Sequence, residues 1–382
     1  MRHILDRPCV PRWVAENFDR PRRGYPAICA KPDASLLADS DIVYLIDGPT
    51  FPVGDGGSLV KSEFLRGILR LGMKASVIAS DWSHEPSNAY AMQGAPTYWL
   101  AADKYYSDQL LDLVSALEEV SFIVDSCETL SRILPSIDPC RIWLLLFDDY
   151  VRIERIRSRD PLCNTAGNIL QSALHKGINV LFRSRSDIDM YDTSSCRYVL
   201  PLAGVPTRAY IGPTTFGPVA LLGNFRYRSN LDSIHRIVNE WCQDTPIRVI
   251  GDIDKNEVSA LSAICKNIEF TYQVDDLSAA LEGCSLGIDA NESYSGTSTK
   301  ILTYMSMGIP VACVQSATRG LNVDHATVRI ANNVPSLVSS ARLLSRDHSA
   351  LISMARRGFT WIRRSCDIQV EIEEIVRAMS VI

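Results

Sequence analysis

The sequence lacks the paired motifs that bind metals or form disulfide frameworks. Its eleven cysteines are an odd number and no two of them form a Cys-x-x-Cys pair. Its six histidines are isolated, with no His-x-x-x-His pair. A disulfide framework and a structural zinc site are therefore disfavoured. We expect most cysteines to be small buried hydrophobic side chains in a reducing, cytoplasmic compartment.

Long apolar runs are also missing. The densest one covers residues 142–147, whereas a membrane-spanning helix needs roughly 18 apolar residues. The N-terminus, MRHILDRPC, has no apolar core of a signal peptide. Residues 1–40 contain five prolines and the cluster Arg20, Arg22 and Arg23. This arm either wraps the surface or contacts an acceptor or the inner face of a membrane, so peripheral attachment stays open.

The charge balance is slightly acidic. The chain of 382 residues has a net charge of −5, with 46% hydrophobic and 22% charged residues. This composition excludes disordered, collagen-like and coiled-coil proteins and fits two or three globular domains. The negative net charge argues against binding nucleic acid through bulk charge, although a local basic patch is compatible with it.

Short apolar runs alternate with helical periods from residue 41 onward. This alternation predicts parallel sheets covered on both faces by helices. Residues 203–217 are rich in Gly, Pro and Thr and predict a linker. We therefore predict an α/β fold of two tandem doubly wound domains that face a cleft, at 41–205 and 216–360. The predicted strands lie at 42–46, 74–79, 122–124, 142–147, 180–182, 198–200, 219–222, 247–250, 268–271, 285–288 and 310–313.

Ligands of doubly wound sheets bind outside the carboxyl ends of the strands. Gly54, Gly56 and Gly57 lie there between a predicted strand and a helix, where glycines allow close backbone approach to an anion. A plain tight turn explains them equally well. Gly223 follows another strand, and Arg226 and Arg228 after it either hold a phosphate or are solvated.

Residues 289–313 give the sharpest signal. A loop of small residues, 295–299, opens a helix that carries Lys300, and Met307-Gly308-Ile309-Pro310 closes it. Exposed N–H groups and a lysine suit a diphosphate, and a well-capped helix with an exposed lysine is the alternative. Asp148 and Asp149 end the strand WLLLF, where a carboxylate is either a general base or the cap of a turn or helix.

The segments 296–302 and 307–311 resemble the nucleotide-sugar site of group 1 (family 4) glycosyltransferases, whose fold is called GT-B. Four further segments resemble the family in the same order, so that the resemblance covers about residues 41–345. They are the glycine loop 48–57, the linker entry 200–205, the Gly223 loop 222–226 with Asn230, and 318–321.

The sequence departs from the family at several positions. The family's two glutamates, eight positions apart, fall at Ser295 and Thr303, and Glu292 lies close to the first. The family's basic pair in the Gly223 loop falls at Asn224 and Asn230, which leaves Arg226 or Arg228 for that role. The Lys-x-Leu-x-Tyr form of residues 300–304 is similar to xanthan-type glucuronosyltransferases, which use an aspartate base.

The resemblance implies a glycosyltransferase that needs no metal and no cofactor. The C-terminal domain would bind a nucleoside diphosphate sugar, with UDP as the first choice, and residues 361–382 would cross back to the N-terminal acceptor domain. Asp149 is the implied base with Asp148 in reserve, and the glycine loop would face the acceptor. The implied donor-binding residues are Gly223, Asn224, Arg226, Arg228, Glu292, Gly296, Thr297, Ser298, Lys300 and Thr303.

Two other classes stay open. One is an epimerase or hydrolase of nucleotide sugars on the same fold, and the other is a non-catalytic partner subunit, which the missing glutamate pair favours. The acceptor is equally open between a glycan, a lipid-linked molecule, a protein and a small molecule. No nucleic-acid partner is expected.

Overall fold

The computed structural model describes two parallel sheets flanked by helices. This confirms the prediction of an α/β fold with two tandem doubly wound units. The described residues are 34–46, 56–81, 95–101, 105, 107–146, 161–183, 185–189, 191–195, 199–201, 205–241, 245–272, 274, 276–292 and 297–379.

The first sheet has seven strands in the order β3-β2-β1-β4-β5-β6-β7, and every pair is parallel. The chain runs outward from β1 to β3 and then returns to β4, so the switch point lies between β1 and β4. The strands are β1 (Ile42–Ile46), β2 (Ala75–Asp81), β3 (Thr97–Ala101), β4 (Ser121–Val124), β5 (Ile142–Leu145), β6 (Asn179–Phe182) and β7 (Val199–Pro201). The helices are α1 (Ala34–Leu37), α2 (Gly56–Arg70), α3 (Asp108–Ser115), α4 (Cys127–Ile133), α5 (Pro161–His175) and α6 (Arg185–Ile188).

The second sheet has six strands in the order β10-β9-β8-β11-β12-β13, again all parallel. Its switch point lies between β8 and β11. The strands are β8 (Val219–Leu222), β9 (Ile247–Ile250), β10 (Ile268–Thr271), β11 (Leu286–Asp289), β12 (Val311–Val314) and β13 (Arg329–Ala331). The helices are α7 (Arg228–Trp241), α8 (Lys255–Ile264), α9 (Leu277–Leu281), α10 (Thr299–Ser306), α11 (Val334–Ser345), α12 (His348–Ser365) and α13 (Ile368–Met379).

The last helix, α13, leaves the second sheet and packs on the first. Ile368, Ile372 and Ile375 are buried in one hydrophobic cluster with residues of β1 and α2. Gly67 of α2 lies against Ile372, because a Cβ at position 67 would overlap the Ile372 side chain. The last element of the chain therefore joins the two halves.

The C-terminal helical stretch divides at Asp367 rather than continuing as one helix. The Asp367 carboxylate accepts the main-chain N–H of Gln369 at 3.0 Å and the hydroxyl of Thr207 at 2.7 Å. Asp367 also forms an isolated parallel bridge with Val205. These bonds turn the chain and tie the linker to the start of α13.

Several local predictions need correction. Gly56 and Gly57 are the first two residues of α2 rather than loop residues. The apolar pattern of residues 110–120 predicts a helix over that range, whereas α3 spans Asp108–Ser115. Strands β3 and β13, both at sheet edges, were not predicted.

Candidate functional site

Strands β8 and β11 separate at their carboxyl ends, and polar side chains gather in the gap. Their last paired residues are Leu221 and Ile288. Gly223 follows β8, and Asp289 ends β11 with its side chain only 2% exposed. Such a switch point is where doubly wound sheets bind their ligands.

Lys300 is held over this gap by two partners. Its Nζ donates to Asn230 Oδ1 at 2.6 Å and lies 3.8 Å from Asp289 Oδ1. The side chain is 16% exposed, so the ammonium group still reaches solvent. A Cβ at Gly223 would lie 3.2 Å from Lys300 Cε, which explains why a residue without a side chain precedes the Arg226 loop.

Asp289 also fixes the start of α10. Ser298 donates its hydroxyl to Asp289 Oδ2 at 2.6 Å. As the N-cap of α10, the same hydroxyl accepts the N–H of Ile301 at 3.4 Å. One buried carboxylate thus positions both the lysine and a helix N-terminus whose remaining N–H groups favour an anion.

Three asparagines connect the separate segments of the site. Asn230 Nδ2 donates to the Asn224 carbonyl at 2.8 Å. Its Oδ1 accepts from Asn291 Nδ2 at 3.4 Å as well as from Lys300. The loop after β8, the first turn of α7 and the loop after β11 are therefore linked by side chains.

Tyr304 supports the site by binding the main chain of β8. Its hydroxyl donates to the Ala220 carbonyl at 3.1 Å and accepts the N–H of Leu222 at 2.7 Å. Leu222 lies one residue beyond the β8–β11 pairing, so the phenol binds the main chain of β8 where the two strands diverge. Burial, followed by the nearby Asp289 charge, raises the Tyr304 pKa well above its ordinary value. The phenol therefore stays protonated and serves as a donor.

The other expected donor-binding residues lie in separate contacts. Arg226 Nε pairs with Asp252 Oδ2 at 2.9 Å. Arg228 is 84% exposed and pairs with an acid one turn later on α7. Glu292 pairs with Arg236 at 2.5 Å. Thr303 is buried on α10, and Thr297 donates its hydroxyl to the Arg183 carbonyl at 2.8 Å. The structure brings Gly223, Asn224, Ser298 and Lys300 together but directs the two arginines to local acids.

Some expected site residues lie outside the described residues. These are the base candidates Asp148 and Asp149, together with Gly54 and Gly296.

The switch point of the first sheet holds an ion pair that sequence reasoning missed. Asp125 directly follows β4, its side chain is fully buried, and Lys61 of α2 pairs with it. Burial, followed by the negative charge of Asp125, raises the pKa of Tyr44 on β1 well above its ordinary value. The available signal was an Asp directly after an apolar strand, the feature that also pointed to Asp148.

The described residues contain no group of three or more His, Cys, Asp or Glu side chains able to hold a metal ion. None of their helices has the length and hydropathy needed to cross a bilayer. Six cysteines, at positions 127, 140, 265, 284, 313 and 366, are free thiols.

The second half of the chain matches a known protein family, and the fold matches several solved structures. Residues 219–347 match the family model described as "Glycosyl transferases group 1". No curated protein sequence matches the chain significantly. The fold is similar to sucrose-phosphate synthase from Thermosynechococcus elongatus, with a TM-score of 0.69, 11% identity, and coverage of 89% of this chain and 99% of that one.

Two further solved structures were determined with nucleotides or nucleotide sugars. HepE from Anabaena, in complex with UDP and glucose, gives a TM-score of 0.67 at 11% identity, covering 89% of this chain and 100% of that one. An α-glucosyltransferase in complex with UDP-glucose and DNA gives 0.61 at 11% identity, covering 89% and 99%. These likenesses show a shared fold.

Proposed function

We propose that this chain, which has the GT-B fold and matches the glycosyl transferases group 1 model over residues 219–347, is a glycosyltransferase. The donor is a UDP-sugar, and the sugar passes to a hydroxyl or amine of an acceptor. The observation that carries the proposal is Lys300, held by Asp289 and Asn230 beside the N-terminus of α10.

The diphosphate of the donor lies over Gly223, within reach of Lys300. The cation and the N–H groups at the start of α10 stabilise the negative charge that grows on the leaving diphosphate. Because Asp289 and Asn230 already orient the ammonium group, little reorganisation is needed when the bond breaks. This charge stabilisation by the chain supports a metal-independent reaction.

The transfer needs a proton acceptor as well as a leaving-group site. The acceptor oxygen or nitrogen forms a bond to the anomeric carbon while the bond to the β-phosphate oxygen breaks. The acceptor proton passes to a base, for which we propose Asp149 with Asp148 in reserve. UDP leaves with the electron pair of the broken bond.

The remaining donor contacts are assigned by position. Arg226 keeps its Nε on Asp252 and offers its terminal nitrogens to the phosphates. The side chains of Thr297 and Ser298 are committed to Arg183 and Asp289, so these residues serve the donor through their main-chain N–H groups. The structural neighbours with bound UDP and UDP-glucose support the choice of nucleotide.

A thermal-shift screen against UDP, GDP, ADP, CMP and dTDP, with and without EDTA, tests the donor. A ligand at 100 times its dissociation constant adds about 2.7 kcal/mol to stability. We expect UDP to give the largest shift and EDTA to leave it unchanged. Absence of binding by every nucleotide contradicts the proposal and favours a non-catalytic partner.

Product analysis with UDP-sugars separates transfer from the other reactions. We expect UDP release to depend on an added acceptor. Acceptor-independent release of free sugar, or isomerisation of the donor, favours a hydrolase or an epimerase instead.

A further inference from the structure

Helix α12 carries a concentration of positive charge that the donor site does not use. Arg356, Arg357, Arg363 and Arg364 are all exposed, and residues 348–366 contain no Asp or Glu. The chain as a whole has 44 acidic and 39 basic residues. Four arginines without an acid on one helix of 18 residues therefore oppose the overall charge balance.

The four arginines share one side of the helix. Positions seven apart lie two turns apart, about 10 Å along the axis and about 20° around it. Arg363 is therefore above Arg356, and Arg364 is above Arg357. We call these four residues the arginine stripe.

One acid lies near the stripe, because hydrogen bonds from Thr327 and then the charge of Arg357 lower the pKa of Asp324. Within the described part of the chain, no carboxylate forms an ion pair with any of its members, whereas exposed Arg228 and Arg377 do have acidic partners. Arg357 instead donates to the Ala326 carbonyl at 2.6 Å and to Ser353 Oγ at 2.7 Å. The guanidinium of Arg363 lies 5.9 Å from the ring centroid of Phe359.

Helix capping explains only half of the stripe. Arginines in the last turn of a helix interact favourably with its dipole, which accounts for Arg363 and Arg364. Arg356 and Arg357 lie two turns earlier, where this effect has faded. Arg357 has hydrogen-bond partners and a nearby acid in Asp324, so the exposed charge of Arg356 is the one that neither capping nor a neighbour explains.

An aromatic pair lies beside the stripe. Phe359 contacts Tyr210 edge to face at a centroid distance of 5.2 Å, and Tyr210 is 42% exposed. Basic side chains next to exposed aromatic ones are typical of surfaces that lie on lipid headgroups. The exposed helix face is two turns long and convex. It therefore fits a planar anionic surface better than it fits a single extended polyanion, which would need a groove.

We propose that the arginine stripe of α12 binds the anionic headgroups of a membrane surface. The charges are complementary, and basic residues close to an anionic bilayer each add to the attraction until salt screens them. The contact holds the enzyme at the bilayer without a spanning segment, independently of which nucleotide the donor carries.

Vesicle co-sedimentation of the full chain tests the proposal. The vesicles are phosphatidylcholine alone or with 30% phosphatidylglycerol, at 50 and 300 mM NaCl. We expect binding only to the anionic vesicles and at least about 10-fold weaker binding at the higher salt. Absence of binding to anionic vesicles at low salt overturns the proposal.

Charge-matched variants locate the surface. The test variant changes the four stripe arginines to glutamine, and we expect it to bind anionic vesicles at least about 10-fold more weakly. The control variant removes four exposed positive charges elsewhere and should bind like the wild type. The control substitutions are Arg70→Gln, Lys176→Gln, Lys255→Gln and Lys266→Gln.

Two smaller variants guard against misfolding. Arg356→Gln and Arg363→Gln/Arg364→Gln leave the hydrogen bonds of Arg357 intact, and each should give intermediate binding with an unchanged melting temperature. Wild-type binding by both, or equal losses in the stripe and control variants, contradicts the assignment.

Binding of soluble polyanions tests whether the stripe recognises a membrane surface or a polyanion in solution. If heparin or a DNA oligonucleotide binds the stripe at 150 mM NaCl while anionic vesicles do not, the surface recognises a polyanion and the membrane proposal is wrong.

Discussion

Thr297 donates its hydroxyl hydrogen to the main-chain carbonyl of Arg183, across an oxygen–oxygen distance of 2.8 Å. Thr297 lies just before helix α10, and Arg183 follows strand β6 of the other sheet. An ion pair between Arg319 and Asp187 crosses the same boundary at 3.3 Å. The two halves are therefore joined directly beside the residues proposed to hold the donor diphosphate.

The first prediction concerns this ion pair. Asp187 is 3% exposed and Arg319 is 19% exposed, so removing the arginine leaves a buried carboxylate without this partner. We expect Arg319→Gln to lower the free energy of unfolding by about 1.5–3 kcal/mol, the scale of a hydrogen bond to a charged group. Asp187→Asn in the same chain should recover part of the loss. Chemical denaturation of both single variants and the double variant measures the coupling, and strictly additive losses contradict a direct interaction.

The second prediction concerns Lys300. If its ammonium group meets the diphosphate, Lys300→Ala should weaken UDP affinity by about 1.5–3 kcal/mol. Calorimetric titration with UDP measures the change, and Lys266→Ala, on the exposed surface, is the matched control. Because Asp289 also loses a partner, the melting temperature must be recorded alongside. Unchanged affinity in a folded Lys300→Ala protein removes the site assignment.

The central strands could be predicted from the sequence because they are buried on both faces. Every residue of β1 is buried, and a continuous apolar run is a clear local signal. Strand β13 has only three residues and its Arg329 is exposed, so it has no continuous apolar run to detect. Edge position alone does not hide a strand, because β7 and β10 are also outermost and were predicted.

The site was predictable only where its signal is local. Lys300, Ser298 and Gly223 belong to short segments with recognisable turn and helix-start residues. The partners that orient Lys300 are not local, since Asn230 is 70 positions away. Likewise, nothing near Arg226 in sequence announces that Asp252, 26 positions later, takes its guanidinium. Such contacts depend on how strands are ordered in the sheet.

The third prediction concerns alkaline stability. Burial raises the pKa of Cys284 to about 11 and that of Cys366 to about 12, from an ordinary value of 9.0. Above pH 9 the unfolded thiols lose their protons while the folded ones keep them. Stability from these groups is therefore complete below pH 9 and falls as pH rises towards 11, by up to about 1.4 kcal/mol per pH unit for each thiol.

Urea denaturation at pH 8 and pH 10 measures this fall. Cys284→Ala removes one of the titrating groups, so its stability should depend less on pH than that of the wild type. Cys140→Ala, at a half-buried thiol, is the control. An identical pH dependence in wild type and Cys284→Ala contradicts the assignment.

The fourth prediction concerns the proposed base. Asp149→Asn should retain UDP binding while turnover falls at least about 100-fold, the usual scale for loss of a general base. Asp148→Asn is the reserve test. Rates with the true acceptor, together with UDP titrations, separate catalysis from binding. Near-normal turnover in both variants favours a retaining mechanism, in which the leaving phosphate takes the proton.

The last prediction concerns the contact between Gly67 and Ile372 that docks α13 on the first half. A Cβ at position 67 would overlap Ile372 Cδ1, and Ile372 is fully buried. Overpacking costs about 1–3 kcal/mol, and replacing a helical glycine by alanine returns about 1 kcal/mol. We therefore expect Gly67→Ala to lose up to about 2 kcal/mol of stability.

Ile372→Val removes the overlapping methyl group and alone should cost about 0.5–1.5 kcal/mol. In the double variant the new alanine methyl fills the space that the valine leaves, so its stability should approach that of the wild type. Ile375→Val shortens a neighbouring buried side chain and should not rescue Gly67→Ala. Thermal and urea denaturation measure the stability of Gly67→Ala, the two valine variants and the two double variants. Equal rescue by both valines would mean that α13 does not rest on Gly67. Truncation at residue 360 removes α13 together with residues 361–365 of α12. It should expose this apolar surface and cause aggregation, whereas a soluble and active truncated protein would show that the contact is dispensable.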